Sequence, residues 1–128
     1  LQGIFDELNF EYFGGRMECP NLKWGSFSTR TLGHYAYGSD TITISRIFEN
    51  LPEEELPFLK FVMYHEMLHK KHQYTDTVAN RNMHHTRAFR ADEAKFPDAK
   101  ELDRTLGSFI AGKRASKKRQ GFFERLMS

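Results

Sequence analysis

The 128 residues carry 19 Lys and Arg against 17 Asp and Glu, a net charge of +2 that is too small to make the whole domain a nucleic-acid binder. With 39% hydrophobic and 14% aromatic residues, the composition is that of one folded domain rather than a disordered chain. The single Cys19 excludes an internal disulfide and a cysteine-built zinc ribbon, and it fits a reducing, cytoplasmic setting. No run approaches the ~18 apolar residues that span a bilayer, so no membrane partner is expected.

In chain order, residues 1–13 (LQGIFDELNFEYF) put Ile4, Phe5, Leu8, Tyr12 and Phe13 on one face at helical spacing. Gly14-Gly15 stops that helix, because glycine enters the left-handed backbone region at no steric cost. Three short runs rich in aromatic and β-branched residues follow: Leu22 to Ser28, Leu32 to Tyr37 and Thr41 to Ser45. Gly38-Ser39-Asp40 reads as a hairpin turn, and TITIS alternates so that Ile42 and Ile44 share a face. Residues 20–46 are therefore expected to form a small three-stranded, mostly antiparallel sheet.

Asn50-Leu51-Pro52-Glu53-Glu54-Glu55 has the form of a helix start, with a capping Asn, an early Pro and acids in the first turn. Pro57 either marks the true start after a preliminary turn or kinks the helix. From Phe58 to about Lys71 the period is helical, with Leu59, Val62, Met63 and Leu68 as core positions and Phe61 and Met67 as further core filling. Residues 73–81 read as a loop. A second helix begins near Asn82 or His84 and ends before Pro97, and a third covers roughly 98–111. The expected organisation is one α+β domain over 1–112, followed by a basic C-terminal tail over 113–128. A monomer is assumed.

Within the long helix lies HEMLH, residues 65 to 69. Residues four apart stand on one helix face, so His65 and His69 can direct imidazole nitrogens to one ion at the ~2.0–2.1 Å expected of Zn2+. Glu66, rotated ~100° from His65, stands beside such an ion. A carboxylate there can take a proton from a zinc-activated water without being a ligand. The metzincin spacing fails, since His72 and Thr75 occupy the positions where it needs Gly and His. MHHTRAFRADE supplies His84, His85 and Glu93 instead, and the residues alone leave the third ligand open among them. Glu93 or Asp92 could also accept the second N–H of a ligating histidine.

HEMLH followed by HTRAF (His85 to Phe89) resembles the SprT-like family of zinc metalloproteases. Upstream, LNFEYFGGRM, the Trp-containing run Lys23-Trp24-Gly25, the pair Leu32-Gly33 and ITIS are similar to that family in order and spacing, so the likeness covers about residues 1–110. The resemblance implies a zincin-like fold and a zinc-dependent peptidase acting on a protein or peptide substrate. Zinc would be held by His65, His69 and His85, with Glu66 as general base. His85 is preferred because Phe89 then falls where the family carries its aromatic residue. Where the family has Gly after that histidine, this chain has Thr86.

His34, Tyr35, Tyr37 and Tyr74 are candidates to stabilise an oxyanion, each with packing or surface as the plainer role. His72 reads as a polar residue in the last helical turn. Lys113, Arg114, Lys117, Lys118 and Arg119 form a run without acids, usually a solvated end. The sharper reading is contact with DNA phosphates, and the resemblance points the same way, because eukaryotic members degrade proteins crosslinked to DNA. The alternative to an enzyme is a nucleic-acid- or protein-binding module whose zinc is structural, which requires a fourth protein ligand.

Overall fold

The computed structural model describes residues 1–73 and 85–127. Helix α1 spans Gln2–Phe13 and buries Phe5, Leu8 and Asn9. Gly14 ends it at φ 63°, and the Gly15 N–H reaches the Asn9 carbonyl at 2.9 Å, a left-handed helix stop. The Asn9 side chain then fixes the exit. It donates to the Met17 carbonyl at 2.9 Å and accepts from the Met17 N–H at 3.0 Å, so this buried amide keeps its hydrogen bonds.

Strands β1 (Asn21–Trp24), β2 (Gly33–Ala36) and β3 (Thr41–Ile44) form a sheet in the order β1-β3-β2. The expectation of a mostly antiparallel sheet is corrected: β2 pairs antiparallel with β3, but β1 pairs parallel with it, so the sheet is mixed. Ser45 shows the reason. Its hydroxyl accepts from the Ser28 N–H and donates to the Ser28 carbonyl, while its own N–H donates to the Leu32 carbonyl. The segment after β1 is thereby carried over the end of β3 to its other side, and β2 runs back from there. Register places Leu22, Trp24, Tyr35 and Gly33 across from Ile42 and Ile44, facing the core, while Lys23 and His34 face away.

Asn50 does not cap a helix; it sits at φ 58° in the connection. Glu53–Glu55 form a single 3-10 turn, and α2 follows as Leu56–Lys71 with Pro57 in its first turn, where the missing N–H costs nothing. Of the two roles open to Pro57, it starts the helix rather than kinking it. Helix α2 lies against β2 and β3 and buries Leu59, Phe61, Val62, Met63, Tyr64, Met67 and Leu68. Burial at this level is worth about 1.5–3 kcal/mol per large side chain.

Helix α3 spans Arg87–Glu93, shorter at its start than the sequence suggests; residues 74–84, which include His84 and all of the expected loop except Gln73, lie outside the described residues. Helix α4 runs from Ala99 to Met127, well past the expected end near residue 111, so the basic run is helical. Phe109 stacks on Phe58 with ring centres 4.5 Å apart and on Phe48 at 5.7 Å, which seats the first half of α4 on the core. Its second half is tied to the rest of the molecule by Lys113 on Glu55 at 3.0 Å and Lys117 over the Phe27 ring at 4.9 Å. Among the described residues no helix is long and apolar enough to cross a membrane. The molecule is an α+β fold with four helices and a small mixed sheet among the described residues.

Candidate metal centre

Helix α2 turns its apolar face to the sheet and carries His65 and His69 along the flank that meets α3. Across that junction stands His85, immediately before the helix start. Thr86 fixes the start: its buried hydroxyl accepts from the Phe89 N–H at 3.2 Å. Capping of this kind is worth about 1 kcal/mol and gives a reason for threonine rather than glycine after the histidine. The ligand atoms of His65, His69 and His85 all lie within 4.8 Å of one another. Among the described residues this is the group able to hold a metal ion.

Phe89 sets the spacing. It is buried, and its ring centre lies 5.2 Å from His65, 4.8 Å from His69 and 4.9 Å from His85. Three imidazoles around one phenyl ring are held apart from below and left to converge above it. Glu93, one turn on from Phe89, accepts a hydrogen bond from His65 Nδ1. That bond fixes the ring's orientation and tautomer and leaves Nε2 as the donor atom for an ion. Of the roles open to Glu93, it takes that of the histidine's carboxylate partner and stands outside the three-membered group. Its own carboxyl is lowered, first by the His65 hydrogen bond, with burial working the other way.

Asp92 does something different. It lies buried at the same junction and accepts from Lys71 Nζ at 2.7 Å, His72 Nε2 at 2.8 Å and Lys95 Nζ at 2.9 Å. The Tyr64 hydroxyl donates to its backbone carbonyl. Burial alone would raise the Asp92 carboxyl; the three hydrogen bonds and the Lys71 charge outweigh it and hold the group well below the usual carboxylate range. Asp92 thus ties α3 to the end of α2, and His72 is a strut in that tie.

Glu66 is only 6% exposed, and no described group hydrogen-bonds its carboxyl. Burial pushes it up to about 7, against the opposing charge of His65. A buried carboxyl without a protein partner is costly and calls for a reason. It faces a cleft of about 490 Å³ shared with His65, His85, Gly33 and Val62. Gly33 makes room for it: a Cβ there would come within 3.0 Å of Glu66 Cγ, Glu66 Oε2 and Val62 Cγ1. Among the described residues strand β2 has β3 on one side only, and Gly33 on it lies against this carboxyl.

Of the oxyanion candidates, the Tyr35 hydroxyl donates to Asp40 Oδ1 at 2.7 Å and braces the hairpin, where Lys70 also reaches Asp40. His34 and Tyr37 are exposed, with His34 on the sheet face away from α2. Tyr74 lies outside the described residues. Sequence reasoning missed Arg30, Arg90 and Asp103, which line the cleft from three separate segments and carry no shared short-range signal. Compared with known proteins, the chain matches no family model and no curated protein.

Proposed function

We propose that this chain is a zinc-dependent metallopeptidase of the SprT-like, zincin type, with His65, His69 and His85 as ligands and Glu66 as general base. The observation that carries the reading is three converging imidazoles, two of which (His65 and His85) share a cleft with the buried Glu66 carboxyl, which has no hydrogen-bond partner among the described residues. Imidazole nitrogen suits zinc, and donor atoms that approach to within 4.8 Å need only small rotations to meet the edge of about 3.4 Å that a tetrahedral site requires. Zinc, when bound, supplies Lewis acidity that polarises a peptide carbonyl and acidifies a water.

The chain's own groups supply the rest. Glu93 holds His65 through Nδ1, and Phe89 keeps the three rings in place. The edge of β2 that has no strand beside it among the described residues offers main-chain hydrogen bonds that would lay an extended peptide past Glu66. Glu66 takes the proton of the attacking water on a carboxylate oxygen and returns it to the amine of the leaving peptide. Its burial excludes bulk water from that transfer.

The test is Glu66→Gln. Zinc content should stay near one ion per chain while cleavage of an unfolded protein substrate falls by on the order of a thousandfold or more. Undiminished turnover in that variant sinks the mechanism. The rival, a binding module with structural zinc, needs a fourth protein ligand, and the group able to hold an ion has three members among the described residues. A second property of the same molecule is favoured by α4: Lys118 and Arg119 are exposed and face no acid among the described residues, an arrangement suited to DNA phosphates and to protein substrates carried on DNA.

A further inference from the structure

The cleft beside Glu66 has charges that the hydrolytic step does not use. Arg30 enters from the β1–β2 connection, Arg90 from α3 and Asp103 from α4. All three are exposed, and among the described residues neither guanidinium has an ion-pair partner. Of the other two acids in the lining, Glu93 is engaged by His65 and Glu66 is buried. Two exposed guanidinium groups therefore stand in the cleft without an ion-pair partner among the described residues.

Arg30 is presented from a held loop. The Ser28 hydroxyl accepts from the N–H groups of Arg30 and Thr31 at 3.3 and 3.0 Å, and Ser28 is itself bound to the buried Ser45. Thr29 accepts from Arg114 on α4 at 2.9 Å. Arg90 projects from the helix that Asp92 clamps to α2. The lining also includes the apolar side chains Leu32, Phe61, Val62 and Leu106. A side chain entering here meets both apolar surface and two guanidinium groups.

Resting on the peptidase reading above, we propose that this cleft selects substrates by a carboxylate, with Arg30 and Arg90 as the specificity-determining residues. Guanidinium forks match a carboxylate's two oxygens with paired, charge-assisted hydrogen bonds. A substrate lying across the cleft displaces water, which strengthens these contacts beyond those of an open surface pair. The carboxylate can come from an acidic side chain or from the free end of a peptide, and both would use the same two arginines.

Two degenerate peptide libraries given to the zinc-loaded chain separate these sources. One has blocked termini and varied side chains; the other has neutral side chains and free carboxyl ends. Mass spectrometry of the products should show acid over amide at one position near the cut, or cutting at a fixed distance from the free end, by about fivefold in kcat/KM. Arg30→Glu and Arg90→Glu should each reduce that ratio, the double variant should turn it toward Lys and Arg, and added salt should flatten it. Fluorescence anisotropy of the same peptides on Glu66→Gln protein should show the same ordering without turnover. A ratio of one, or a ratio unmoved in both arginine variants, overturns the inference and leaves the peptidase reading standing. No cleavage of any peptide by a chain that holds zinc overturns both.

Discussion

Two charge-rich regions of this molecule behave in opposite ways. At the α2–α3 junction, Asp92 and Glu93 are each engaged by named cations or imidazoles, with Asp92 buried and Glu93 half-buried. Along the second half of α4 the cations are more numerous in sequence but largely exposed, with single contacts such as Lys113 on Glu55. A dense run of charge in the sequence therefore marks a solvated helix, while two adjacent acids in an unremarkable segment organise the candidate metal centre. Burial decides the difference, because a charge removed from water must be paired or neutralised, whereas an exposed one is screened.

That contrast can be broken by removing one group at a time. The largest effect is expected from Glu93→Gln, which weakens the hold on His65 Nδ1. Zinc affinity measured by competition with a chromogenic chelator should fall by about ten- to a hundredfold, with little change in the melting of the metal-free chain. Asp92→Asn should act the other way round, on stability. Three cationic partners lose their charge partner, and urea unfolding should show a loss of about 2 kcal/mol.

The same carboxyl gives a pH signature. Its folded pKa is lowered, so its contribution is fully present above the unfolded value near 3.9 and is lost as pH falls through the folded value. Acid unfolding of the native chain should therefore steepen below about pH 4, and the Asp92→Asn variant should lack that component. The smallest stability effect belongs to Lys118→Glu with Arg119→Glu, which should change unfolding by less than about 0.5 kcal/mol. If α4 contacts DNA, the same pair should flatten the dependence of DNA affinity on salt concentration.

Much of this arrangement is legible in the sequence. The Gly14-Gly15 stop, the turn before Thr41 and the HEMLH helix each depend on local spacing, and local spacing is what periodicity reports. The convergence of His65 and His69 follows the same logic; the spacing leaves the third member open among His84, His85 and Glu93, and it is the resemblance, through Phe89, that points to His85. The mixed sheet was not legible, because alternation tells which face a residue takes and says nothing of which strand lies beside it. The crossover is set by hydrogen bonds from Ser45 to Ser28 and Leu32, far apart in the chain.

The extent of α4 is not legible for a different reason. Gly112 and the basic run suggest an end, yet a helical glycine costs only about 1 kcal/mol, and the surrounding Ala, Lys, Arg and Gln are good helix formers. The stacking of Phe109 on Phe58 holds the preceding turns in place. Arg30, Arg90 and Asp103 could not be found at all from sequence, since they meet only when three segments pack around one cleft.

On the proposed function, two histidines of α2 and His85, just before α3, hold one zinc with a position left open toward Glu66. A crystal structure of the zinc-loaded chain tests it most directly. The expected result is one ion bonded to His65, His69 and His85 at ~2.0–2.1 Å, with its remaining coordination filled by solvent on the cleft side. A fourth protein ligand closing the site, or His84 or Glu93 in place of His85, would contradict it.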